Sequence, residues 1–184
     1  MRLFIAVPIP DEIKNNITQI VSELNKTPTK VRWVKKESMH LTLKFIGNVE
    51  EKKADEITDA LKTITFPEFQ NKIEFKDIGF FPNRRRPRVI WVGIKDYEKK
   101  LSEWALLLEG VLEPLGFPKE KRGFKPHLTI GRIKSPEEMD SILRIVNRRR
   151  GHLFGTAKPD KVILFQSILK PTGAEYKSLH SFHV

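Results

Sequence analysis

Cysteine is absent from the 184 residues, which excludes disulfide cross-links, thiolate metal ligands and cysteine nucleophiles. A reducing compartment is compatible with that composition. Glutamine is scarce while Lys, Glu and Arg are plentiful, a balance that points towards heat resistance. The opening apolar run, Leu3 to Ile9, is cut by Pro8 and followed by Asp11 and Glu12, which is too short for a membrane span or a signal peptide. A cytoplasmic protein with no membrane partner is expected. Acidic charge is in deficit: 34 Lys plus Arg against 23 Asp plus Glu leave a net charge of +11, a field suited to a polyanion such as nucleic acid. No G-x-S-x-G elbow, P-loop or glycine-rich dinucleotide fingerprint is present, so no nucleotide cofactor is expected.

What is present is periodic. Residues 3–9 read as a strand, and Pro10-Asp11 opens a helix with Ile13, Ile17, Ile20, Val21 and Leu24 on one stripe. A break around Pro28 precedes a short strand at 31–34. A longer strand follows, in which Met39, Leu41, Leu43 and Phe45 alternate with His40, Thr42 and Lys44 up to Gly47. A second helix from Glu50 turns Ala54, Ile57, Leu61 and Ile64 inward. Residues 69–81 and 88–94 are strand candidates joined by the basic loop PNRRRP. A third helix is expected over 96–115, with Leu101, Trp104, Ala105 and Leu108 on one face. Ser135 and Glu138 together predict a capping box on a helix beginning near Ser135-Pro136, and Arg148-Arg149-Arg150-Gly151 marks its end. Two last strands, 161–169 and 175–183, flank a turn at Pro171-Thr172-Gly173. No linker separates these elements, so one unit over 1–184 is expected.

The triplet His40-Leu41-Thr42 returns as His127-Leu128-Thr129. In an extended chain each triplet presents an imidazole and a hydroxyl on one face. The elements around the two copies rhyme, which implies an internal duplication: an α+β fold of two lobes with antiparallel sheets, helices outside and a central cleft. Either triplet alone reads as a hydrogen-bonded structural histidine. A matched pair across a cleft supplies one neutral imidazole as base and one protonated imidazole as acid, with threonine hydroxyls for charged oxygens. That set suits phosphodiester cleavage. Carboxylate or cysteine ligands at metal-binding spacing are missing, so no metal is expected.

The paired motifs, in the runs RLFIAV, RWVKKESMHLTLKFIG, GFFPNRRRPRVIWVGI, FKPHLTIGR and ILFQSILKPTGAEYKSL, resemble the 2H phosphoesterase superfamily, and its RNA 2′,3′-cyclic phosphodiesterase branch, also called 2′-5′ RNA ligases. The resemblance implies a bilobal α+β fold with a basic cleft and hydrolysis of a terminal 2′,3′-cyclic phosphate on RNA to a 2′-phosphate. It makes His40 and His127 the catalytic pair, Thr42 and Thr129 phosphate holders, and Arg132 a further phosphate ligand. Arg132 lies five positions after His127 and faces away from it in an unbroken strand, so a bulge at Gly131 is predicted. The sequence reading assigns His127 as base and His40 as acid. Lys125 and Lys44 are in phase with the histidines and expected to add positive charge to the cleft.

For RNA, Arg84, Arg85, Arg86 and Arg88 beside Phe80 and Phe81 combine cations with rings, as do Lys119, Lys121 and Arg122 before Phe124. Trp33 and Trp91 are expected in the core. The expected partner is RNA bearing a 2′,3′-cyclic phosphate, such as a tRNA half, acted on by a monomer. Two rivals remain: ligation of RNA ends through a 2′-5′ bond, and RNA binding without catalysis.

Overall fold

The computed structural model describes every residue except Pro136 and Thr172, so the proline of the expected capped helix and the middle residue of the expected last turn lie outside the described residues. In chain order the elements are β1 (Arg2–Pro8), α1 (Asp11–Leu24), β2 (Val31–Trp33), β3 (His40–Asn48), α2 (Glu51–Lys62), β4 (Ile73–Phe81), β5 (Val89–Lys95), α3 (Lys100–Leu112), β6 (His127–Ile133), α4 (Met139–Arg148), β7 (Leu153–Ala157), β8 (Lys161–Lys170) and β9 (Gly173–His183).

These strands form two antiparallel sheets, ordered β3-β1-β8-β9 and β2-β6-β5-β4-β7. The second order repeats the first if β6 stands for β3, β5 for β1, β4 for β8 and β7 for β9, with β2 added outside β6. The duplication expected from the sequence is therefore a duplication of sheet order. The helices bind the halves together. The helix after β1, α1, packs on β7 of the other sheet, and the helix after β5, α3, packs on β3. Each lobe thus borrows a helix from the other half of the chain.

The apolar stripes explain this packing. The five residues expected inward on α1 are the five it buries, and Asn16 Nδ2 donates to the Phe154 carbonyl of β7 at 2.8 Å. At that crossing Gly155, with φ of +149°, lies so close to Ile13 that an added Cβ would meet its Cγ1 at 2.9 Å. Only glycine lets the helix approach this strand so closely. On α3, Trp104 is fully buried against Phe66 and Phe69, and its indole N–H donates to the Pro67 carbonyl at 2.9 Å.

Three local expectations are corrected, and one strand was not foreseen. The capping box at Ser135 does not form: α4 starts at Met139 after Glu138, which has φ of +58° and makes no side-chain cap bond. The entry is held instead by Thr29 Oγ1, which donates to the Glu138 carbonyl at 2.8 Å. The third helix starts at Lys100, because Asp96 Oδ2 accepts the Leu101 N–H at 2.7 Å from outside the helix. Residues 69–72 precede β4, which begins at Ile73. The short strand β7 has no clear sequence period, since Leu153 is exposed and Gly155 interrupts it; pairing with β4 defines it.

Candidate active site

Strands β3 and β6, which carry the two triplets, lie against each other where the sheets meet. Each begins at its histidine, and both run through the same burial sequence. His40 and Thr42 are half-buried, Leu41, Leu43 and Lys44 buried, Phe45 exposed; His127 and Thr129 are half-buried, Leu128, Ile130 and Gly131 buried, Arg132 exposed. The cause is the same irregularity in both strands. Opposite β1 the register steps from Thr42 to Lys44, leaving Leu43 extra; opposite β5 it steps from Thr129 to Gly131, leaving Ile130 extra. A bulge reverses the alternation of all residues beyond it.

The bulge expected near Gly131 is thus present, one residue earlier, and it returns Arg132 to the face of His127 and Thr129. Its counterpart in β3 overturns two expectations. Lys44 does not join the cleft: its side chain is 3% exposed and its ammonium binds Glu109 of α3 at 2.8 and 3.0 Å and the Pro118 carbonyl at 2.8 Å. Phe45, expected inward, is 59% exposed. It pairs across the strands with Phe4, whose ring lies 4.6 Å from that of His40, so Phe45 shares the histidine face. A bulge applied to both copies of the motif, rather than to the second alone, would have found it.

The two imidazoles are held alike. His40 Nδ1 is 2.8 Å from the Ser38 carbonyl and His127 Nδ1 is 2.7 Å from the Lys125 carbonyl, two residues upstream in each case. A carbonyl only accepts, so each Nδ1 carries the proton and each Nε2 is left for chemistry. Each ring also meets an aromatic edge to face: Tyr176 on His40 and Phe81 on His127, both at 4.9 Å and 89°. Phe81 therefore orients the second imidazole. Burial pushes His40 down to about 4, the Ser38 carbonyl bond opposing and Lys14 adding to the fall.

The faces around the two histidines differ. Phe4, Phe165 and Tyr176 surround His40, and Phe45 stands beside Phe4 on the same face. Phe81 stands against His127, with Trp91 and Arg132 further along the same face. Trp91 is the cross-strand neighbour of Thr129 and packs on Phe81, so it belongs to this face and not to the core as expected; Trp33 does pack against the core. Phe80 is buried and unable to stack a base, which corrects its grouping with the arginines; Phe124 is partly buried against the core. Arg84, Arg85, Arg86 and Arg88 are exposed on the β4–β5 connection, with Arg84 tied to Asn147 of α4 at 2.9 Å. Lys125 is exposed, and Lys119 is paired with Glu113 at 2.7 Å. Among the described residues no three His, Cys, Asp or Glu side chains cluster as metal ligands, and no helix is long and apolar enough to cross a membrane.

Two pseudo-symmetric antiparallel lobes that bring two His-x-Thr strands together at their junction define a two-histidine phosphoesterase. The profile of the family described as "LigT like Phosphoesterase" matches residues 7–91 and again residues 92–176, once for each half, and the chain belongs to that family. Among similar proteins, the RNA 2′,3′-cyclic phosphodiesterase of Archaeoglobus fulgidus is 40% identical over 184 residues, covering 99% of each chain. That of Thermotoga maritima is 33% identical over 183 residues, covering 98% of this chain and 94% of its own. The crystal structure of TT0787 of Thermus thermophilus superposes with a TM-score of 0.81 at 27% identity, covering 100% of this chain and 97% of that one. Escherichia coli LigT complexed with 3′-AMP has the same fold, with a TM-score of 0.79 at 24% identity and coverage of 100% and 97%.

Proposed function

We propose that this protein, a single functional unit of two interlocked lobes, is an RNA 2′,3′-cyclic phosphodiesterase that opens a terminal cyclic phosphate to a 2′-phosphate. The observation that carries the reading is the matched pair of imidazoles, each with Nδ1 held by a backbone carbonyl and Nε2 left over, on strands that abut. The names borne by the relatives agree with it.

Water attacks phosphorus as the P–O3′ bond breaks. One Nε2 takes the proton of the water and the other gives a proton to O3′; exchange with solvent then resets both. Thr42 and Thr129 donate hydroxyl hydrogen bonds to the non-bridging oxygens, and Arg132, further along β6, adds its charge to the substrate phosphates. The base is His127 and the acid His40, as the sequence reading has it; burial lowers the pKa of the His40 ring to about 4. The substrate's negative charge then steadies the imidazolium as it forms. Exposed Phe45 offers a flat surface to an unpaired base, and Arg84, Arg85, Arg86, Arg88 and Lys125 extend the cationic field along the RNA. A tRNA half in the cytoplasm, met by a monomer, fits this arrangement.

The test of function is incubation of the protein with a cyclic-phosphate-ended oligoribonucleotide, with and without a 5′-hydroxyl partner strand. The expected product is the 2′-phosphate in both cases. Joined strands as the main product favour the ligase, and unchanged substrate favours binding alone. The pH test concerns His40 itself: its ring signals should titrate near pH 4 by NMR, well below the 6.5 of an ordinary imidazole. A ring titration at 6.5 contradicts this.

A further inference from the structure

Resting on the phosphodiesterase reading, we propose that Arg32 and Arg132 form a second phosphate site. It takes the phosphodiester on the 5′ side of the cyclic-phosphate nucleotide, so the site distinguishes an RNA end from a cyclic mononucleotide.

Arg32 was not singled out by the sequence. It sits in the middle of β2, the strand that the second sheet has beyond the common plan, directly opposite Arg132 of β6. Cross-strand partners project to the same side of a sheet. That side is fixed by the neighbours: an added Cβ on Gly131 would meet the Trp33 ring at 2.8 Å and Val31 Cγ1 at 2.9 Å, so Val31 and Trp33 lie on the core side with Gly131. Arg32, between them, points to the other side, where the β6 bulge has also turned Arg132 and where His127 and Thr129 project. From there Arg32 reaches the first sheet: its Nη2 is 3.7 Å from where a Cβ on Gly173, at the start of β9, would stand. β9 also carries Tyr176, the ring against His40. Arg32 therefore reaches from the second sheet to the first.

Two like charges facing each other across adjacent strands destabilise a sheet unless something negative joins them. Both arginines are exposed, and among the described residues neither forms an ion pair with a carboxylate. Basic residues at the adjoining strand ends deepen the imbalance. Lys30 and Lys134 meet at the strand end, where the Lys134 N–H donates to the Lys30 carbonyl at 2.8 Å, and the Arg88 carbonyl accepts the Ile133 N–H at 2.9 Å. None of these three forms a carboxylate pair among the described residues either. Two guanidinium forks side by side match the oxygens of one phosphodiester. Arg132 lies three residues beyond Thr129, roughly 10 Å along the strand, a distance that one nucleotide and an arginine side chain bridge together. At a 3′ end closed by a cyclic phosphate, the only other phosphate within such reach is on the 5′ side.

The test compares adenosine 2′,3′-cyclic monophosphate with adenylyl-adenosine 2′,3′-cyclic phosphate, and with the same dinucleotide carrying an uncharged methylphosphonate linkage. In Arg32→Ala the ratio of kcat/KM for dinucleotide over mononucleotide should fall by about tenfold to a hundredfold, carried by KM, the scale of a lost charge-assisted hydrogen bond. The methylphosphonate should cost the unaltered enzyme a similar factor and the variant almost nothing, because both changes remove one interaction. A ratio that Arg32→Ala leaves unchanged, or a methylphosphonate penalty equal in both proteins, overturns the proposal. An unaltered protein that turns over neither charged substrate sinks the phosphodiesterase reading instead. The subsite is then decided by binding of the 2′-phosphate dinucleotide, where Arg32→Ala must weaken affinity and flatten its salt dependence for the proposal to survive.

Discussion

Alanine at His40 or at His127 should slow hydrolysis of a 2′,3′-cyclic phosphate by about 10²–10⁴-fold, the usual worth of a positioned proton donor or acceptor. The double variant should be little slower than either single one, because a proton relay with one end missing no longer works as a unit. Folding should be intact, since both rings are half-buried on the cleft face and their removal opens no core cavity. The two variants separate on a substrate whose 3′ oxygen is replaced by sulfur, a leaving group that departs without a proton. His40→Ala should recover most of its rate on this substrate and His127→Ala should not, with His127 as the base and His40 as the acid. Recovery by His127→Ala alone would reverse the assignment. Near-normal turnover by either variant on the ordinary substrate would remove the two-histidine mechanism altogether.

Lys44→Met should destabilise the protein by about 3–5 kcal/mol in urea unfolding, because it strands the Glu109 carboxylate where the Lys44 ammonium now meets it at 2.8 and 3.0 Å. Against a typical total of about 5–15 kcal/mol, that is a large share. Glu109→Leu should cost a comparable amount by leaving the ammonium, 3% exposed, without its counter-ion. The double variant should recover most of the loss, since an apolar pair of similar volume avoids the desolvation of both charges. Additive losses in the double variant would mean that the pair holds the β3 bulge itself, and His40 and Thr42 should then lose their places and activity should fall with stability. In the second lobe the position matching Lys44 is Gly131, packed under Trp33.

The elements that position the site were legible wherever a period ran unbroken. The stripe Ile13, Ile17, Ile20, Val21 and Leu24 sets both the helix α1 and its buried face, since burial of apolar side chains at that spacing leaves one solution. The repeated triplets gave the duplication, because like sequences in like order make like sheets. The strand β7 and the end of β3 were not legible in this way. Five residues around Gly155 become a strand through pairing with β4, and a bulge is a property of two strands in register.

Composition and motif by themselves determined the class of fold, singled out His40 and His127 as the candidate pair, and set the expectation of phosphodiester chemistry on a polyanion. Local pattern sufficed because it dictates which face a side chain takes while a strand stays regular. Only the tertiary structure decided that Lys44 turns inward and Phe45 outward, that Trp91 shares the face of Thr129, that burial lowers the pKa of His40, and that Arg32 stands beside Arg132. Each of these depends on a neighbour distant in sequence, through register, desolvation or cross-strand contact, and no window of the chain read alone contains both partners.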